Sequence, residues 1–288
     1  MSVGGVRPPA VAGSWYPDDP QVLRQTVEAY LDDAQVPVAE GVRGLIAPHA
    51  GLIYSGPVAG HAYRGIVGGG YDVVVLLGPS HYVGFEGVAV HPDGRFDTPL
   101  GSVAVDDALA SELLARPVVV THPTAHDREH ALEMQLPFLQ AALPGTPVLP
   151  LVMGTQDRET ILALADALGQ VLAGRRALLV ASTDLSHFFD AGRAAELDAV
   201  VAGHVDRFDA DGLLAEYERY PVADRGRYVA CGGGAAIAVM RAAARLGADD
   251  ARVLCRSDSA AVSGDTHSVV GYLAAMFGQF ADDRAGDA

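Results

Sequence analysis

The apolar positions of this chain follow two periods. Short uninterrupted runs such as Val73-Val74-Val75-Leu76-Leu77 and Ala177-Leu178-Leu179-Val180-Ala181 mark strands buried on both faces of a parallel sheet. Between the runs, apolar residues recur at helical spacing. The pattern predicts strands at 43–48, 72–78, 147–152, 177–182, 252–257 and 268–276. It predicts helices at 21–34, from Pro57 to about Val67, and at 127–142, 157–173, 191–208 and 228–246. In the first helix the expected apolar positions are Val22, Val27, Tyr30 and Leu31. Segments 87–90 and 101–105 flank a Pro/Asp/Gly turn and predict a hairpin, with Asp106 placed to cap the next helix. The alternation implies a single α/β domain over residues 1–280, with a mostly parallel or mixed central sheet flanked by helices on both faces. Residues 281–288 read as a disordered acidic tail.

Polar motifs follow three of the runs. One strand runs into Pro48-His49-Ala50-Gly51, a second into Pro79-Ser80-His81, a third into Ser182-Thr183-Asp184-Leu185-Ser186-His187. In open α/β sheets, ligand sites lie beyond the carboxyl ends of the strands. Convergent histidines there are candidate metal ligands or proton carriers, although a single one would more simply cap a strand. Asp184 and His187 are spaced as at the start of a helix, where Asp184 would also serve as an ordinary cap.

Composition narrows the functional classes. Half of the 288 residues are hydrophobic, as in a globular protein. No segment approaches the length of a membrane span, and the amino terminus has no signal-peptide core, so a cytoplasmic location and no membrane partner are expected. A net charge of −16 argues against nucleic acid. All 20 basic residues are Arg, which excludes Lys Schiff-base chemistry. The two cysteines, Cys231 and Cys255, form no disulfide framework and are expected as reduced thiols.

Cys231 precedes Gly232-Gly233-Gly234 and an apolar helix, a place where a thiol is acidified and can bind metal. Cys255 lies within a predicted strand and reads as a small buried residue. His126-Asp127-Arg128-Glu129-His130 contains H-x-x-E-H, an inverted zinc-peptidase pattern that would use His126, Glu129 and His130. Trp15 and Tyr54 fall in predicted loops, where they could stack on a ligand or staple the core.

Together the motifs resemble the Memo family, whose prokaryotic members are called AmmeMemoRadiSam system protein B. The resemblance rests on Arg7-Pro8-Pro9-Ala10-Val11-Ala12-Gly13-Ser14-Trp15-Tyr16-Pro17, on Ala47 to Gly56, Gly78 to His81, Glu129 to Phe138, Ser182 to His187 and Cys231 to Gly234. It implies a fold similar to LigB-type extradiol dioxygenases, which bind non-haem Fe(II) through two His and a carboxylate. It implies His49, His81 and Cys231 as ligands, His187 as acid or base, and Asp184 as its support. Trp15, Tyr54, His130 and Glu129 would then line or brace the pocket. Fe(II) is the expected metal, with copper or zinc as alternatives, because thiolate in place of carboxylate softens the site. The implied function is a dioxygenase-like oxidoreductase acting on a small molecule or peptide. A non-catalytic module binding a peptide, an AMMECR1-like protein or a radical-SAM partner is the alternative, and a zinc hydrolase a second.

Overall fold

The computed structural model describes residues 5–280; the expected tail lies outside the described residues. The strands in chain order are β1 (Val6–Arg7), β2 (Ala39–Ala47), β3 (Val73–Pro79), β4 (Val88–Val90), β5 (Arg95–Thr98), β6 (Gly101–Ala104), β7 (Val119–Thr121), β8 (Val148–Met153), β9 (Ala177–Ser182), β10 (His187–Phe189), β11 (Asp250–Asp258) and β12 (Val269–Phe280). The helices are α1 (Pro20–Asp33), α2 (Leu52–Arg64), α3 (Asp107–Leu114), α4 (Thr124–Asp127), α5 (His130–Glu133), α6 (Leu136–Ala142), α7 (Arg158–Val171), α8 (Ala191–Asp206), α9 (Ala210–Glu218), α10 (Arg225–Tyr228), α11 (Gly233–Arg245) and α12 (Ala260–Ser263).

The large sheet runs β10-β12-β2-β9-β3-β8-β4-β7, with β11 paired to β12. Its centre, β2-β9-β3-β8, is parallel, while β12 and β4 join antiparallel. The sheet is therefore mixed, with a parallel heart. Alternate residues of β3 serve opposite faces, as a strand's period of two requires. Val73, Val75 and Leu77 pack with α7 and α11, while Val74 and Leu76 pack with α2 and α6. Helices therefore cover both faces, and burial of this apolar area supplies the main driving force.

Several expectations are corrected. On α1 it is Leu23, with Val27 and Leu31, that is buried, whereas Val22 is exposed. The α2 helix begins at Leu52, so Tyr54 is helical and Pro57 lies inside the helix rather than at its start. The expected hairpin does not form. Segment 88–90 pairs with β8 and β7 in the large sheet, and the hairpin is β5–β6 in a separate small sheet with β1. The expected helix 127–142 is three short pieces, α4 to α6. His187 lies in a strand instead of a helix, and the 228–246 helix begins at Gly233. Asp106 does cap α3, its side chain accepting from Leu109 N.

Candidate metal centre

The three central strands end where the sequence placed its polar motifs. His49 follows β2, His81 follows β3, and β9 runs into Thr183 and Asp184. Cys231 sits just ahead of α11. Its loop can reach the end of β9 because Gly232 has no side chain: a Cβ there would lie 2.6 Å from the Ser182 carbonyl oxygen. A Cβ on Gly233 would strike the Tyr217 ring at 2.5 Å. The glycine run thus admits close packing of the protein on itself.

One ligand atom each from His49, His81 and His130 lie within 4.8 Å of one another. The Cys231 Sγ is 3.3 Å from His49 Nε2. Sequence reasoning put His130 among supporting residues, yet the fold places it in the cluster. It does so by breaking the helix: Glu129 caps α5 through Ala131 N, and His130 is the first residue of that turn. His126 falls on the other side of the break. Its ring meets His91 and Phe96, with both ring nitrogens unpartnered. The H-x-x-E-H pattern needs both histidines on one helical face, so the set His126, Glu129, His130 is not assembled as a zinc site.

Hydrogen bonds fix which ring nitrogens face the centre. Ser182 Oγ gives its single proton to Ala131 O (2.6 Å) and accepts from Gln135 Nε2 (2.7 Å). Toward His49 Nδ1, at 2.9 Å, it can therefore only accept. His49 therefore carries a proton on Nδ1, and Nε2 is the ring atom that faces Cys231. His81 is held twice by Glu129, through its backbone N–H (2.7 Å) and its Nδ1 (2.9 Å). This carboxylate–histidine pairing leaves Nε2 directed inward, the second-sphere arrangement that orients metal-binding histidines. Tyr82 OH meets His130 Nδ1 at 3.1 Å, and Trp15 packs on the same ring at a centroid distance of 4.2 Å.

The electrostatics agree with these contacts. Burial would raise the Cys231 thiol, but the adjacent His49 and His81 imidazoles bring it down to about 6. Burial would lower His81, but hydrogen bonds to Cys231 and Glu129 lift it to about 10. The two stand as imidazolium beside thiolate. Glu129, despite its burial, is held down to about 2 by His81 and the backbone N–H groups around it. Burial and the charges of His49 and His81 push His130 down to about 3, so that ring stays neutral. Burial raises Asp184.

Asp184 caps no helix. Its Oδ1 accepts from His49 N (2.8 Å) and Ala50 N (3.3 Å), tying the β9 end to the β2 end. His187 lies near enough to act on the Asp184 charge, and its Nδ1 donates to Leu185 O at 2.7 Å. Tyr54, on α2, packs beside Gly51. The structure thus gathers His49, His81, His130 and Cys231, with Glu129 and Asp184 behind them.

Several contributors escaped sequence reasoning. Gln156 Nε2 donates to Cys231 O (2.8 Å) while its Oε1 accepts from Gly234 N (2.9 Å), fixing the thiol loop. Ser182 and Gln135 set the His49 tautomer. Glu133, fully buried, ion-pairs with Arg7 and accepts from Ala10 N, Val11 N and Tyr16 OH. That carboxylate pins the amino-terminal segment and so brings Trp15 to His130. A strand-end serine is a weak signal, and a lone Gln carries none.

A family model described as Memo-like protein matches residues 7–276. A MEMO1 family protein of Methanopyrus kandleri is 36% identical over 284 residues, covering 94% of this chain and 98% of the relative. Relatives of the same description from Nitrosopumilus maritimus and Sulfolobus acidocaldarius are 33% and 35% identical, covering 94% and 95% of this chain and 99% of each relative. An uncharacterized Escherichia coli K12 protein of known structure covers 72% of this chain and 86% of its own, at 15% identity and a TM-score of 0.49, too slight a likeness to carry weight.

Proposed function

The chain belongs to the family of Memo-like proteins, and we propose that it binds a redox-active transition metal and works as an oxidoreductase. One observation carries this. Three imidazole ligand atoms lie within 4.8 Å of one another, and a thiol acidified to about 6 stands 3.3 Å from one of those rings. The donor set suits a metal. The bond from His49 Nδ1 to Ser182 leaves Nε2 as the inward ligand atom, Glu129 orients His81, and the Cys231 thiol is acidified to about 6. His49, His81 and Cys231 would hold the ion, with His130 as a fourth donor beside them.

Two imidazoles and an anion with room for further ligands favour Fe(II), and the soft thiolate also accommodates copper or zinc. When bound, such an ion would supply Lewis acidity and, for iron or copper, one-electron redox chemistry to a coordinated ligand. The protein supplies the proton handling. Because His187 Nδ1 donates to a carbonyl, Nε2 of the neutral ring is an acceptor, ready to take a proton from a ligand. His130 stays neutral and orients a ligand without adding charge.

The test is metal analysis of protein purified without oxygen. Wild type should carry close to one iron or copper per chain, and His49→Ala, His81→Ala and Cys231→Ser should each lose most of it. Equal and negligible metal in wild type and in a His49→Ala/His81→Ala variant would defeat the proposal.

A further inference from the structure

A cavity of about 160 Å³ lies between helix α8 and the strand pair β11–β12. Ala195 and Asp198 of α8 line it, with Arg256, Ser257 and Asp258 of β11 and Tyr272 of β12. One water needs roughly 10–15 Å³, so a molecule of several heavy atoms fits. No residue of the histidine–cysteine cluster lines this cavity, and the inference stands apart from the metal reading.

The strand register sets Asp258 opposite Gly271. Gly271 leaves room for the Asp198 carboxyl, because a Cβ there would overlap Asp198 Oδ2. Arg256 and Asp258 are two apart and share one face of β11. Asp198 is 6% exposed and accepts one bond of normal geometry, from Ser186 N at 3.0 Å. The Ser186 hydroxyl is near enough to favour the Asp198 charge, yet it has no partner in bonding geometry. A carboxylate offers about four acceptor sites, so most of this one is unused. A buried carboxyl of that kind at a cavity wall calls for a donor. Burial and the Asp258 charge both oppose its ionisation. Arg256 favours it, but forms no ion pair among the described residues.

We propose that this cavity binds a small α-amino acid, with its ammonium group between Asp198 and Asp258 and its carboxylate on Arg256. An ammonium brings three donors to the two carboxyl groups. A guanidinium grips a carboxylate through two parallel bonds. A metal cation would meet Arg256 as a like charge, and a simple anion would meet Asp198 and Asp258 in the same way. A zwitterion satisfies both signs at once. The competing account is that Asp198 serves only to hold Ser186 N, and with it the loop that carries Asp184 and His187. An Asn at 198 would still accept from Ser186 N, so the two accounts separate cleanly.

The probe is L-valine, titrated into the full chain by calorimetry. Isobutylamine and isovalerate are the same molecule without its carboxylate and without its ammonium group. Wild type should bind L-valine saturably and 1:1, isobutylamine roughly tenfold or more weakly, and isovalerate not measurably. Asp198→Asn should bind L-valine at least roughly tenfold more weakly, the loss of a charge-assisted bond. Its melting temperature at neutral pH should be no lower than that of wild type. Arg256→Gln, at an exposed position, should bind L-valine no better than wild type binds isobutylamine. Absence of saturable L-valine binding in wild type, as from a cavity that holds only water, would overturn the proposal. So would L-valine affinity unchanged in Asp198→Asn or in Arg256→Gln, or isovalerate or isobutylamine binding as tightly as L-valine. A fall in the melting temperature of Asp198→Asn would return the residue to a purely structural role and overturn it as well.

Discussion

Replacing Arg7 by Met removes the cation that neutralises a fully buried carboxylate. Glu133 is 0% exposed, and Arg7 is 5% exposed, so water reaches neither well. Breaking a buried pair by removing one partner costs about 3–5 kcal/mol, because the remaining charge is left without a counter-charge. Here Glu133 would keep three donors, Ala10 N at 2.8 Å, Val11 N at 3.1 Å and Tyr16 OH at 2.6 Å. Arg7 would also give up its bonds to His126 O (2.9 Å) and Glu129 O (2.8 Å). The retained donors soften the penalty and the lost ones restore part of it, so the expected loss is about 3 kcal/mol. For a chain of this size that lowers the melting temperature by roughly 6–12 °C. Urea unfolding of Arg7→Met, Glu133→Gln and the double variant closes a thermodynamic cycle. The double variant should be more stable than Arg7→Met, because no unpaired charge remains. The argument fails if Arg7→Met loses under about 1 kcal/mol, or if the two substitutions simply add. Trp15 fluorescence should shift in Arg7→Met below the global transition, since Glu133 holds the segment that seats Trp15 against His130.

Other outcomes follow from the same contacts. Ser182→Ala frees the His49 ring to adopt either tautomer and should weaken metal retention about 10–100-fold, measured by competition with a chelator, with little change in fold by circular dichroism. Burial raises the Asp198 carboxyl to about 6, so stability should fall as pH rises from its unfolded value near 3.8 through 6 and level off above that. Asp198→Asn should therefore be more stable than wild type at pH 7.5, by at most about 3 kcal/mol, and equal to it near pH 4; a constant difference across that range in urea unfolding would contradict this. Leu23→Ala should cost about 3–5 kcal/mol and Val22→Ala under about 0.5 kcal/mol, the reverse of what the apolar pattern alone suggests.

The strands β3, β8 and β9 were legible to within a residue or two because a strand buried on both faces must be apolar throughout and short. Helix α7 was equally plain, with Asp157 as its cap and Leu164 and Leu168 on its inner face. The segment 127–142 was not. Its apolar spacing is helical throughout, yet Glu129 is drawn away to His81 and to Ala131 N, and the chain breaks there. The 88–90 strand chose partners distant in sequence, β8 and β7, over the nearby segment that a hairpin would have used. Val22 and Leu23 are neighbours whose choice of face depends on how α1 docks.

For the site, the sequence by itself determined that histidines end the central strands and that a cysteine opens a glycine-rich helix start. Residue chemistry and strand periodicity are local properties, and these motifs carry both. Only the tertiary structure decided that His130 joins His49 and His81, that His126 does not, and that His49 donates its Nδ1 proton to Ser182 Oγ. Those outcomes depend on atoms separated by tens of residues meeting within hydrogen-bonding distance. Such meetings are set by how the elements pack, and no local pattern records them.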